Sequence, residues 1–141
     1  MDRLSALAAR LLPHIQKKLS QWTYLTTPLT STAWDGDPYS TNATSIEIDL
    51  STVFGVPEGV KAVLMRVVAR DSATWGTNTL RVQFGPTDAS YYELPVYPAG
   101  GDVYAVNTGV LPCSNGNIWY RITASGSGTM DVWIEIWGYY L

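Results

Sequence analysis

Cysteine and histidine are almost missing: Cys113 and His14 are the only ones in 141 residues. A single cysteine excludes an intramolecular disulfide and a cysteine-based zinc site, so the fold must hold by packing alone. A single histidine removes the imidazole clusters of metal sites and most catalytic dyads and triads. Charge is scarce as well, at 15% of residues against roughly 25% in an average soluble protein. A surface this poor in charge suggests that something besides water covers part of it. No run approaches the roughly 18 consecutive apolar residues of a membrane span, so membrane insertion is not expected. The N-terminus is also too interrupted for a secretory signal, because Arg10 splits Leu4 to Leu12 and Lys17 and Lys18 follow. The product is therefore expected in the cytoplasm when made.

Phosphate loops, nucleophile elbows and paired metal-binding histidines are absent from the sequence too. Glu93 with Asp102, or Asp131 with Glu135, are pairs that any acidic chain contains by chance, so no enzyme and no cofactor is expected. Asp35-Gly36-Asp37-Pro38 has alternating acids but lacks the further spaced oxygen ligands of a calcium loop, and reads as a turn.

What is present begins with aromatics: six Trp and nine Tyr stand against two Phe. Rings with a polar handle suit surfaces that are apolar on one side and wet on the other. The charge is unevenly placed. Residues 1–21 carry four basic residues and Asp2, whereas residues 22–141 carry five basic and eleven acidic ones. An acidic body disfavours nucleic acid as a partner.

Leu4, Leu7, Leu11, Ile15 and Leu19 recur at spacings of three and four, which predicts an amphipathic helical arm over residues 1–21. Pro13 breaks the pattern, since it lacks an N–H and its ring crowds the preceding turn, so a kink or two short helices are expected. The apolar stripe with its basic neighbours suits docking on an acidic protein surface or bundling with copies of itself, and equally a helix that caps its own body. Residues 22–44 turn to Thr, Ser, Pro and Gly with interspersed aromatics, and read as an extended linker or a first irregular strand.

Residues 45–141 read as successive strands. Ile46, Ile48 and Leu50 alternate with polar residues; Val60 to Ala69 is apolar on both parities; Leu80, Val82 and Phe84 alternate again. Tyr91 to Val96 and Val103 to Val110 are weaker candidates. Ser114-Asn115-Gly116 marks a tight turn before Ile118 to Thr123, and Ser125-Gly126-Ser127-Gly128 leads into Thr129 to Leu141, so the last two strands are predicted to form a hairpin. Short strands with turns between them, and no helix among them, predict an all-β antiparallel sandwich or jelly roll behind the short helical arm.

The last strand is the most informative. Met130, Val132, Ile134 and Ile136 share one face, while Asp131, Trp133, Glu135, Trp137 and Tyr139 share the other. A strand with one dry side needs nothing large on its wet side, yet three big aromatics alternate there with two acids. Trp133, Trp137 and Tyr139 are therefore candidates for a subunit interface, for stacking on the sugars of a host surface glycan, or for packing within the chain.

Trp34-Asp35-Gly36-Asp37, the run from Val53 to Ala62, and the closing run from Thr129 to Leu141 resemble small virion structural proteins of tailed bacteriophages and prophages. The resemblance spans most of the body from Trp34 onward. It implies a jelly-roll-like domain, often trimeric, mounted on a head or tail as a capsid decoration or cement protein, a head fibre or a receptor-binding tip. On that reading the protein is a homo-oligomer of the virion and makes or breaks no bond. The arm lies outside the resemblance, and its docking on the major capsid protein or another virion protein is expected from its apolar stripe and basic residues instead. After the arm there is no length for a shaft, which favours decoration or a short head fibre over a long tail fibre.

Overall fold

The computed structural model describes residues 3–10, 21–72 and 79–141. Residues 3–10 form helix α1, and every one of them is exposed. Leu4 and Leu7 of the predicted stripe lie on it; Leu11, Ile15 and Leu19 fall outside the described residues. No helix among the described residues is long and apolar enough to cross a membrane.

Among the described residues nine strands follow: β1 (Trp22–Leu29), β2 (Asp35–Tyr39), β3 (Ile46–Asp49), β4 (Ala62–Asp71), β5 (Arg81–Gly85), β6 (Leu94–Val96), β7 (Ala105–Pro112), β8 (Asn117–Thr123) and β9 (Met130–Tyr140). Their antiparallel pairing is nested: β2 with β9, β3 with β8, β4 with β7 and β5 with β6. Rolling such a long double ribbon on itself yields two sheets. One has the order β1-β9-β4-β7, with β2 also paired to β9, and the other has the order β3-β8-β5-β6. This is the two-sheet jelly-roll arrangement. The expected all-β sandwich is the architecture observed.

Alternation builds the core. On β4, Val63, Met65, Val67 and Ala69 are fully buried, as are Met130, Val132 and Ile136 on β9. Val82, Phe84, Ile118 and Ile122 meet them from the opposite sheet. Each such large side chain contributes about 1.5–3 kcal/mol by leaving water. Between β3 and β4 a single helical turn, α2 (Leu50–Phe54), is capped by Asp49 and stopped by Gly55 at φ 71°.

One expectation is resolved and one is corrected. The stretch 22–44 follows the strand reading and is not a linker, because β1, with a register shift between Tyr24 and Leu29, and β2 lie in it and both pair with β9. The anchor is Trp34, only 5% exposed, stacked on Tyr39 at 4.5 Å and set edge-on to Tyr120 at 4.8 Å. Its hydroxyl-rich composition disguised it, although branched Thr fits a pleated, half-buried surface well.

The predicted hairpin of β8 and β9 does not form either, since the two strands belong to opposite sheets. Residues 124–129 instead arch over the end of the sandwich. Asp71, fully buried at the end of β4, accepts from the Ser125 amide at 3.0 Å and from the Ser125 and Thr129 hydroxyls. A buried carboxylate with several donors fixes where the arch sits. The expected turn at Asn115 (φ 53°) and Gly116 (φ 79°) is present, but it too joins strands of different sheets, β7 and β8.

Candidate functional site on the outer face of the five-stranded sheet

The register fixes what points outward. Opposite the core residues of β4 come Leu64, Arg66, Val68 and Arg70, all half-buried. Across the ladder they meet Gly138, Glu135, Trp133 and Asp131 of β9, and Leu64, Arg66 and Val68 meet Val110, Thr108 and Val106 of β7. Directly opposed residues in an antiparallel pair share a face, so these side chains form one surface.

Charge on this surface is balanced from within. Arg66 bonds Glu135 at 3.0 Å, and Arg70 donates from Nε to Asp131 at 2.9 Å and lies 3.7 Å from Asp102. Asp131, first among the causes, holds the Arg70 pKa above its ordinary value. The Arg70 guanidinium also lies over Tyr104 at 5.3 Å and over Trp133 at 5.9 Å, and those two rings are 5.7 Å apart. Planar guanidinium on aromatic faces is a favourable arrangement that also keeps the rings ordered. Arg66, Val68, Tyr104, Trp133 and Glu135 enclose a shallow depression of about 320 Å³.

Of the three aromatics singled out on β9, two are on this face. Trp133 is half-buried, with the Gly36 backbone so close that a Cβ there would lie 2.7 Å from its indole. Trp137 is half-buried and donates from Nε1 to Glu135 at 2.8 Å. Tyr139 is not with them. The ladder skips Trp137, pairing Met65 with Ile136 and Leu64 with Gly138, so a bulge at Trp137 reverses the alternation. Tyr139 then stands opposite buried Val63 and packs against the core. A β-bulge inserts one residue, and every side chain beyond it changes face.

The same bulge brings in a residue that strict alternation had assigned to the other side. Tyr140 now shares the outer face and meets Trp22 at 5.7 Å, with Tyr24 stacked beyond Trp22 at 6.2 Å and Lys61 5.6 Å over the Tyr140 ring. Sequence reading also missed Tyr104, Val106 and Val110, each more than half exposed on this surface. For the two valines the signal was present in the period-two pattern of β7, whose exposed positions are Val, Thr, Val and Pro instead of charged residues. The face thus extends from an aromatic group at one end, through Trp137 and the ion pairs, to Trp133 and Tyr104 at the other.

Other sequence candidates fall elsewhere. Asp35 and Asp37 lie on β2 as part of the ladder with β9, and no group of three or more His, Cys, Asp or Glu able to hold a metal occurs among the described residues. Cys113 is half-buried, and burial pushes its thiol pKa up to about 12.

No protein-family model and no curated protein matches the chain. Among solved structures the fold is similar to a chain of a Nora virus structure at 11% identity and a TM-score of 0.37, covering 84% of this chain and 56% of that one.

Proposed function

We propose that this protein is a non-enzymatic, self-assembling structural subunit of a virion, whose five-stranded sheet is covered by further copies of itself. The observation that carries the reading is the outer face just described. Val106, Val110 and Tyr104 are exposed beside half-buried Leu64, Val68, Trp133 and Trp137, and the charges at the centre of the face are paired with one another, Arg66 with Glu135 and Arg70 with Asp131 and Asp102. An apolar face with internally neutralised charges can be buried against an identical face without stranding an ion, which is the demanding part of interface formation. A chain that keeps such a face wet as a monomer risks indiscriminate association.

The resemblance of the Trp34 to Asp37, Val53 to Ala62 and Thr129 to Leu141 runs to small phage virion proteins supports placing the assembly on a particle surface. A capsid decoration, cement or head-fibre protein, trimeric in form, fits this reading. Helix α1, with Leu4 78% and Leu7 54% exposed between Arg3 and Arg10, supplies a second apolar surface suited to docking on another virion protein. Glycan stacking on Trp133 is less well supported, since Gly36 lies against the indole and Arg70 with Tyr104 takes up its surroundings.

The test is mass in solution by light scattering and native mass spectrometry, for the full chain and for a Val106→Lys, Val110→Lys double variant. The reading expects a stable oligomer that the double variant reduces to single copies with its melting temperature nearly unchanged. A wild-type chain that is monomeric at high concentration would sink it.

A further inference from the structure

The opposite sheet carries a second, chemically different surface. On its outer face, Arg121 of β8 stands across the ladder from Gln83, and Arg81 of β5 from Thr123. Neither arginine has a carboxylate partner among the described residues: Arg81 donates from Nε to the Thr123 hydroxyl at 3.2 Å, and Arg121 donates from Nη1 to the Tyr91 hydroxyl. The Arg121 guanidinium also lies 5.1 Å over the Tyr91 ring. Tyr92 donates its hydroxyl to Tyr91 at 3.0 Å, so the Tyr91 oxygen receives two donors.

A depression of about 450 Å³ opens beside this group, between the segment leading into β3 and the segment after β5. Thr44 and Ser45 line one side, Asp88 and Tyr91 the other, with Arg121 between. The second segment is held tightly to the sheet at Gly85, where any Cβ would run into the Ser90 carbonyl. The Ser45 hydroxyl is buried and has no hydrogen-bond partner among the described residues. A buried hydroxyl without a partner is uncommon and calls for a group that supplies one.

We propose that this depression binds a carboxylate-bearing sugar, a uronic or sialic acid unit, with Arg121 on the carboxylate, Ser45 on a ring hydroxyl and Tyr91, held in place by Tyr92, along the ring. A planar guanidinium matches a carboxylate with two parallel hydrogen bonds. Tyrosines present an apolar ring and a hydroxyl together, as a sugar presents C–H faces and hydroxyls. The single rim carboxylate, Asp88, is exposed and opposes a second negative charge, so a monoanion rich in hydroxyls fits better than a phosphate dianion. The volume lies in the usual range for small-ligand sites.

This site lies on the sheet opposite the assembly face and does not depend on how that face is covered. The experiment titrates the full chain, monitored by amide NMR shifts, with glucuronic acid and N-acetylneuraminic acid, and with glucose, acetate and inorganic phosphate for comparison. Saturable binding of at least one acidic sugar, with glucose, acetate and phosphate weaker, is the expected result. Arg121→Gln should weaken it about tenfold or more while leaving the mass in solution unchanged. If that variant melts early, Ser45→Ala gives the reading, with a loss of severalfold expected. Three results would overturn the proposal: neither acid binding at about 10 mM, acetate, glucose or phosphate binding as tightly, or binding that survives both substitutions and is lost in Trp133→Ala instead.

Discussion

On the five-stranded sheet Arg66 and Arg70 each face a carboxylate across the ladder, whereas on the four-stranded sheet Arg81 faces Thr123 and Arg121 reaches only a tyrosine hydroxyl. The first surface is neutralised and apolar, with Val106 and Val110 open to its surroundings. The second is overlain by its own chain at Gly85, where the backbone of Ser90 and Tyr91 lies so close that no Cβ would fit, and Gln83 on the same face is buried as well. One fold therefore leaves one side apolar with its charges paired across the ladder and the other with uncompensated donors in a hollow. The lesson is that exposure alone does not distinguish an interface from a ligand site. The fate of the charges does, because desolvating an unpaired ion is costly and desolvating a matched pair is less so.

The largest effect expected from breaking this contrast comes at Gly85. Gly85→Ala places a methyl group where the Ser90 carbonyl stands, so the crossing segment must lift away from the four-stranded sheet. We expect a loss of about 3 kcal/mol in denaturant unfolding, with hydrogen exchange rising first in residues 86–93. A loss below about 1 kcal/mol would show that this face is only loosely covered.

Gly36→Ala probes the other sheet. Its φ of 88° favours glycine, and a Cβ there presses on the Trp133 indole at 2.7 Å. About 2 kcal/mol should be lost, accompanied by a change in tryptophan fluorescence, because β2 must retreat from β9 or the indole must turn. An unchanged emission spectrum would mean that Trp133 is not set by this contact.

The Val106→Lys, Val110→Lys variant separates assembly from folding. Both positions are exposed on β7, so stability should stay within about 0.5 kcal/mol while the oligomer dissociates. If stability fell as steeply as the mass, the outer face would be part of the subunit's own integrity and the contrast between the two sheets would weaken.

The smallest effect is a titration. The hydrogen bond from Tyr92, followed by the neighbouring Arg121, lowers the Tyr91 pKa below the ordinary phenol value, while burial raises those of Tyr39 and Tyr120. A lowered value means that Tyr91 ionises at lower pH in the folded protein than in the unfolded chain. In a spectrophotometric titration, the phenolate signal that Tyr91→Phe removes should lie at higher pH in Tyr92→Phe than in the wild type. No displacement would remove the hydroxyl pair from the proposed sugar site.

Much of the fold was legible because alternation is written directly into the chain. Val63, Met65, Val67 and Ala69 on β4, and Met130, Val132, Ile134 and Ile136 on β9, could be assigned to one face from spacing alone. The failures have specific causes. Trp34 is a core residue set among Thr, Ser and Pro, and composition outweighed the single ring. The arch at residues 124–129 has the residues of a hairpin turn, and local geometry is alike whether the chain returns to the same sheet or crosses to the other. Gln83 reads as a solvent position by parity, yet only 1% of it is exposed.

By itself the sequence determined the class of fold, most of the strands and the anomaly of large rings on the polar side of β9, since these depend on side-chain periodicity and turn residues along one segment. Tertiary structure alone decided which strands pair, that the bulge at Trp137 sends Tyr139 inward and Tyr140 outward, and that Arg70 and Arg121 have such different company. The reason is physical: a bulge and an ion pair across a ladder are settled by the register against neighbours far along the chain, 69 positions away for Arg66 and Glu135, and no local pattern encodes that register.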